Sequence, residues 1–209
     1  GANRIVGSLN LVFDNFSTRN ILNGKSWQPL PSGDGQRLSL SASSNGAYYQ
    51  NYSVSFTEPW LGGKKPTSLT VSIYKSVSSN GQEGDNREAI EILGITIGIG
   101  KRLKNPDDWF TIYNGINYQQ YKLINSQSFF TFKDGFSNNL NYNIRLGRNS
   151  VDQLIFPRRG SNFSLGLKVT PPYSMFDGVD DYSTISDREK YKYIEYYKWK
   201  YKSSWYSAF

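Results

Sequence analysis

The stretch QRLSLSASSNGAYYQNYSVSFT, residues 36–57, decides the fold class of this chain. Its apolar residues fall at every second position: Leu38, Leu40 and Ala42, then Tyr52, Val54 and Phe56. Successive side chains of a strand point to opposite faces of a sheet, so each half predicts a strand with one apolar and one polar face. The Asn45-Gly46 pair between the halves is a strong signal for a tight hairpin.

The same alternation restarts along the whole chain and predicts about nine strands of about ten residues each. These strands are 5–13, 36–44, 48–57, 67–77, 89–101, 109–121, 140–149, 161–170 and 190–202. Short turns alternate with longer polar loops, which is typical of an antiparallel up-and-down meander rather than a Greek key. No helix of normal length, internal repeat or dividing linker is visible, so residues 1–209 are expected to form one all-β unit.

Composition excludes several kinds of chemistry. The 209 residues contain no cysteine and no histidine, so disulfides, thiolate chemistry and a Ser-His-Asp triad are not available. The acidic pairs Asp107-Asp108 and Asp180-Asp181 flank strands, where neighbouring carboxylates point in different directions. We therefore expect no enzyme, no metal site and no cofactor. The net charge of +7 fits either anionic neighbours or a solvated surface.

The alternation alone fits two architectures, because a soluble β-sandwich buries its apolar faces and a transmembrane barrel turns them toward lipid. Three features favour the barrel. The strands are long for a soluble sheet, and the polar faces are small and mostly uncharged. Aromatic residues such as Tyr48, Trp60, Trp109 and Trp205 lie near strand ends. No apolar run reaches the ~18 residues of a transmembrane helix.

Two short motifs lie where strands end. Glu58-Pro59-Trp60 is expected to terminate a strand, because proline cannot donate to a ladder, and to place a tryptophan at an interface. Phe156-Pro157-Arg158-Arg159-Gly160 is expected to form a tight turn in which Gly160 supplies a positive φ. A second interpretation places Arg158 and Arg159 near anionic lipid headgroups or an accessory subunit.

The last predicted strand separates aromatic from basic residues. Its aromatic positions are Tyr191, Tyr193, Tyr197, Trp199 and Tyr201, and its basic positions are Lys190, Lys192, Lys198, Lys200 and Lys202. We expect the lysines to line a wet lumen. A surface that holds polyanions is a second interpretation, and stacking on single-stranded nucleic acid is a third. The scattered basic residues elsewhere argue against a nucleic-acid groove.

Residues 51–63 (NYSVSFTEPWLGG) and 152–163 (DQLIFPRRGSNF) together resemble the first half of the barrel of BamA-type outer-membrane protein assembly factors. In that family a strand ends in a Pro-aromatic turn, and a later strand-turn-strand reads phe-pro-x-x-gly-ser. Residues 31–38 (PSGDGQRL) are similar to the versions found in Bacteroidetes-type bacteria. The resemblance covers essentially the whole chain, from about the second to about the tenth barrel strand.

The resemblance implies a central barrel component in the outer membrane of a Gram-negative bacterium, which folds and inserts other barrel proteins through a lateral seam. Its implied partners are unfolded outer-membrane barrel proteins, accessory assembly subunits, lipid and lipopolysaccharide, with no nucleic acid. The family's periplasmic POTRA modules and C-terminal strands are absent from the sequence, and residues 1–4 fit the loop after the first strand. The alternatives are a passive channel or receptor barrel with a basic lumen, and a soluble β-sandwich binding module.

Overall fold

The computed structural model describes residues 6–63, 66–126, 131–179 and 181–207, so the loop expected at residues 1–4 lies outside the described residues. It contains one antiparallel sheet of nine strands in the order β1 to β9. The strands are β1 (Val6–Phe16), β2 (Gln36–Asn45), β3 (Tyr49–Glu58), β4 (Thr67–Ser79), β5 (Ala89–Arg102), β6 (Phe110–Ile124), β7 (Gly135–Asn149), β8 (Gly160–Val169) and β9 (Tyr197–Tyr206). Each strand pairs with its neighbour in sequence, which confirms the predicted incomplete up-and-down barrel.

The remaining regular structure is short. Single 3-10 turns cover Arg19–Leu22, Gly24–Ser26, Gly84–Asn86 and Tyr173–Met175, and one helical turn covers Asp187–Lys190. Within the described part of the chain, no helix is both long and apolar enough to cross a membrane.

The strand register assigns every side chain to one of two faces. Leu40 lies opposite Leu11 on one side and Val54 on the other, whereas Ser41 lies opposite Asn10 and Ser53. The same separation continues across the nine strands, so one face is mainly apolar and the other mainly polar. An exception is the ion-pair group of Lys75, Glu91 and Lys122, which lies on the mainly apolar face near one end of the strands.

The apolar face is exposed, and the most buried part of the polar face is rich in asparagine and serine. On β7, Tyr142 is 43% exposed while its neighbour Asn141 is only 3% exposed, and Ser137 is completely buried. A water-soluble sheet has the opposite arrangement, because its apolar face supplies the core. This inversion is the pattern of a transmembrane barrel, and the single sheet has no second layer to bury its apolar face as a β-sandwich would.

The polar face has a hydrogen-bonded core across β5, β6 and β7. Thr96 donates to Asn117 (2.9 Å), and Asn117 donates to Asn141 (3.1 Å). Asn141 donates to Asn139 (3.2 Å), which donates to Gln119 (3.3 Å). Among the described residues, every buried side-chain nitrogen or oxygen has a hydrogen-bond partner. Such a fully satisfied network fixes a unique arrangement of the strands without an apolar core.

Glycines on the polar face make room for tyrosine rings that lie flat across the sheet. A Cβ atom at Gly94 would clash with the ring of Tyr74, and one at Gly98 would clash with the ring of Tyr113. Gly115, two residues after Tyr113 on β6, also borders the Tyr113 ring. The glycine-rich face of β5 therefore belongs to the packing of two aromatic side chains.

Two predicted strand starts are displaced by five residues or more. β7 begins at Gly135 rather than at residue 140, and β9 begins at Tyr197 rather than at residue 190. β7 starts early because it pairs with β6 as far back as Gly135, which lies opposite Leu123. The late start of β9 has a different cause. β8 reaches only Val169, which lies opposite Tyr142, so the first residues of β7 have no partner on β8. The chain before β9 occupies that free edge, with Asn138 N–H donating to the Lys192 carbonyl and Ile194 N–H donating to the Asn138 carbonyl, both at 2.8 Å.

We predict that Gly98→Ala lowers the free energy of unfolding by about 1–3 kcal/mol, because the added methyl group overlaps the Tyr113 ring. Urea unfolding of the full-length protein in detergent measures the change. Gly7→Ala is the matched control, since a Cβ atom there meets open space. Tyr113→Ala should make Gly98→Ala nearly neutral; equal costs in the two backgrounds would contradict this packing.

Candidate functional site

The polar face carries only positive charge from β2 to β9 among the described residues. Its charged positions, read from the strand register, are Arg37, Arg102, Arg145, Lys168, Lys198, Lys200 and Lys202. Arg37 is neutralised by Asp14, which its Nε contacts. The remaining charge is concentrated on β7, β8 and β9.

We name the group Arg145, Lys168, Lys198, Lys200 and Lys202 the basic strip. Lys168 lies directly opposite Lys198 in the ladder between β8 and β9. Like charges in opposite positions destabilise a strand pair. Among the described residues, no carboxylate lies within ion-pair distance of any member. The strip is thus a concentrated and unneutralised positive surface.

Small residues separate the cations of the basic strip. Gly166 lies between Arg145 on β7 and Lys200 on β9, and Ser164 lies opposite Lys202. Four aromatic residues of β9 are on the other face and are well exposed: Tyr197, Trp199, Tyr201 and Trp205. Tyr206, the last residue of β9, is on the lysine face.

Lys192, which was predicted to belong to the same strand as Lys198, lies outside β9, and so does Lys190. Lys190 ends the helical turn, and Lys192 lies in the segment bound to the edge of β7. Their ammonium groups lie over the rings of the adjacent Tyr191 and Tyr193, each 5.6 Å from the ring centroid. The alternation of lysine and aromatic residues begins before β9 does. A local sequence pattern cannot show where the neighbouring strand β8 ends, so it could not predict the start of β9.

The turn between β7 and β8 is organised by Asp152. Its Oδ1 atom accepts hydrogen bonds from the backbone N–H groups of Arg158 (3.1 Å) and Arg159 (3.2 Å). Phe156 has a φ of 55° and Gly160 a φ of 108°. A Cβ atom at Gly160 would overlap the Ser150 carbonyl. Glycine is therefore required where the turn returns to the sheet.

The tip of this turn projects apolar side chains into solvent, since Leu154 is 95% and Phe156 is 86% exposed. The sequence motif identified the turn itself. It did not identify the role of Asp152, because a carboxylate that caps backbone groups six and seven residues later has no distinctive sequence pattern.

A network centred on Arg148 holds the base of the turn. Its guanidinium donates to Asp107 (2.8 Å), Ser150 (2.8 Å) and Ser161 (2.7 Å). The same guanidinium lies 5.8 Å from the centroid of the Phe110 ring. Arg148 therefore ties the turn before β6 to the turn before β8. Sequence reasoning missed this residue, because its partner Asp107 is 41 positions away.

Glu58, Pro59 and Trp60 lie where β3 ends and the chain turns toward β4. One Glu58 oxygen accepts from Gln36 (2.7 Å), and the other accepts from the backbone N–H of Trp60 (3.0 Å). Trp60 itself is exposed. Glu58 thus connects the start of β2 to the turn that follows β3.

Each end strand of the sheet has one open edge within the described residues. β1 pairs only with β2, and β9 pairs only with β8. In a hydrocarbon layer every unsatisfied backbone group costs several kcal/mol. Both edges therefore need a further strand when the sheet is in a membrane. The described residues contain no group of three or more acidic side chains placed to hold a metal ion.

The comparisons with known proteins agree with this geometry. Residues 32–209 match the family model described as the Omp85 superfamily domain, so the chain belongs to the Omp85 superfamily. It is similar in structure to BamA from Haemophilus ducreyi lacking POTRA domains 1-3, with a TM-score of 0.56 and 20% identity. That match covers 79% of this chain and 31% of the BamA chain, so this chain spans about a third of its length. The search of curated proteins found no match.

The Asp152 turn should depend on pH. The backbone N–H of Arg159, assisted by that of Arg158, holds the pKa of Asp152 below its ordinary value. The stabilisation is therefore present above the unfolded-state pKa of ~3.9 and is lost as the pH falls through the lower folded-state value. We predict that Asp152→Ala speeds hydrogen exchange of the Arg158 and Arg159 amides at neutral pH. Asp108→Asn, which removes a carboxylate from the neighbouring turn, is the control, and equal exchange in both variants would contradict this role.

Proposed function

We propose that this chain forms part of the wall of an outer-membrane barrel that folds and inserts other β-barrel proteins through a lateral seam. Membership of the Omp85 superfamily and the inverted sheet support the proposal. The observation that carries it is the combination of an exposed apolar face with strand edges that need further strands. An incoming strand can pair with such an edge through main-chain hydrogen bonds, with little demand on its side chains.

The proposal requires the sheet to be less stable near the seam. On the polar face, β1 and β2 bring together small residues such as Ser8 with Ser43 and Asn10 with Ser41. The side-chain hydrogen bond between these strands joins Arg37 to Asp14, near one end of the pair. The connected network instead lies farther along, on β5 to β7. An element that must open belongs to the low-stability part of a structure.

In this proposal the work is done by backbone edges and the surrounding bilayer, so the protein is not an enzyme and uses no cofactor. Its partners are unfolded outer-membrane barrel proteins, accessory assembly subunits and outer-membrane lipid, including lipopolysaccharide. The turn at Phe156–Gly160 and the loop between β1 and β2 face the periplasm. We further propose a Bacteroidetes-like origin, from the resemblance of residues 31–38.

The basic strip favours a second candidate, a passive channel or receptor with a positive lumen. The two candidates differ in one respect. An insertase must open between its first and last barrel strands, whereas a passive channel has no need to open.

We predict that a disulfide between the first and last strands of the full-length barrel stops assembly of other outer-membrane barrels and is lethal. The measurement is the level of folded barrel proteins in cells after a shift to the locked form. Residues 1–209 contain no cysteine that could compete for the engineered bond.

The control is a disulfide between two interior strands, made from Ser41→Cys and Ser53→Cys, which lie opposite each other on β2 and β3. It should support normal assembly. Normal barrel levels in the seam-locked protein would exclude the lateral-seam mechanism and favour the passive channel.

A further inference from the structure

The basic strip has the geometry of a surface that holds an extended chain of negative charge. Lys198, Lys200 and Lys202 follow one another at every second residue on one face of β9. Residues two apart in a strand are roughly 7 Å apart, which is also the spacing of alternate side chains in an extended peptide. Lys168 adds a fourth ammonium group directly beside Lys198.

The surroundings of the strip decide between kinds of anion. Phospholipid needs an apolar surface for its acyl chains, and the strip is instead interrupted by Ser164 and Gly166. Single-stranded nucleic acid needs aromatic rings for its bases. The rings of Trp199 and Tyr201 are on the opposite face of β9 and cannot stack on anything bound to the lysines. On the lysine face, the Tyr113 ring is occupied in packing over Gly98 and Gly115. Tyr206 lies at the end of β9, four residues beyond Lys202. A polypeptide with acidic side chains needs neither feature.

We propose that the basic strip binds an acidic polypeptide segment in an extended conformation, with carboxylates at alternate residues aligned along Lys198, Lys200 and Lys202. Because the described polar face from β2 to β9 carries no acidic residue, the carboxylates must come from another segment. The inference rests on the proposed function in one respect: an unfolded client in the lumen would present such a segment. Binding to the strip does not itself require insertase activity.

The test uses the full-length protein in detergent and a fluorescently labelled peptide of alternating glutamate and serine as the probe. Fluorescence anisotropy gives the dissociation constant at low salt and at high salt. We expect the variant with Lys198→Gln, Lys200→Gln and Lys202→Gln to bind at least about tenfold more weakly. Binding to the unchanged protein should weaken strongly with salt, since exposed charges are screened.

The matched control replaces Lys25, Lys104 and Lys133 with glutamine, which changes the net charge equally but leaves the strip intact. It should bind the probe as the unchanged protein does. A second variant, with Lys198, Lys200 and Lys202 all changed to arginine, keeps the charge and should keep the affinity. The single substitution Lys200→Glu should weaken binding even if the triple glutamine variant does not fold.

Three results would overturn the inference. The first is that the probe does not bind the full-length protein. The second is that the glutamine variant and the control bind the probe equally well. The third is that polyphosphate or anionic vesicles compete with the probe better than an unlabelled copy of the peptide does. Barrel assembly in cells is measured separately. If the glutamine variant no longer binds the peptide but still supports normal barrel assembly, insertase function does not need the strip. If the seam-locked protein loses assembly but still binds the peptide, the assignment of the strip stays intact.

Discussion

The structure depends on the rule that backbone N–H and C=O groups inside a hydrocarbon layer must bond to each other. A β-sheet satisfies these backbone groups only where its strands are paired. The side chains then point either toward lipid or toward water, depending on the face of the sheet. In each strand, alternate residues point to opposite faces: Leu40, Val54 and Ile97 lie on one face, and Ser41, Ser53 and Thr96 lie on the other. The inverted burial of the two faces follows directly from this arrangement.

Side-chain hydrogen bonds between strands are unevenly distributed in the sheet, and the cause is the size of the polar side chains. On β5 to β7, asparagine and glutamine side chains are long enough to bond across strands, and Tyr74 and Tyr113 cover the glycines of β5. On β1 to β3, serine is too short to build such a network. The strands that are joined by many side-chain hydrogen bonds therefore lie away from β1. A seam that opens next to β1 would need the hairpin of β1 and β2 to be weakly held. The Arg148 network separately holds the turns before β6 and β8 together.

Periodicity was sufficient to predict the strand count, the antiparallel order and the face of Lys198, Lys200 and Lys202, because all three are local properties of the sequence. It placed Lys192 within the last strand, whereas β9 begins only at Tyr197, because the start of β9 depends on where β8 ends and on the free edge of β7 near Asn138. It also missed Asp152 and Arg148, whose partners are set by how the turns fold. Contacts of that kind become visible only when the strand register is known.

The central claim is that the apolar face contacts lipid and the polar face contacts water. In the most direct measurement, a single nitroxide label is placed in turn at each of residues 53–58 in β3 and 67–75 in β4 of the full-length protein in bilayers, after any cysteine outside residues 1–209 has been replaced. Collisions with oxygen, which partitions into lipid, and with a water-soluble nickel complex are then compared. If the apolar face contacts lipid, both collision rates will alternate with a period of two residues but in opposite phase, with oxygen collisions highest at Val54 and Ile73 and nickel collisions highest at Ser53 and Ser72. Alternation in the reverse phase, or none at all, would contradict the account.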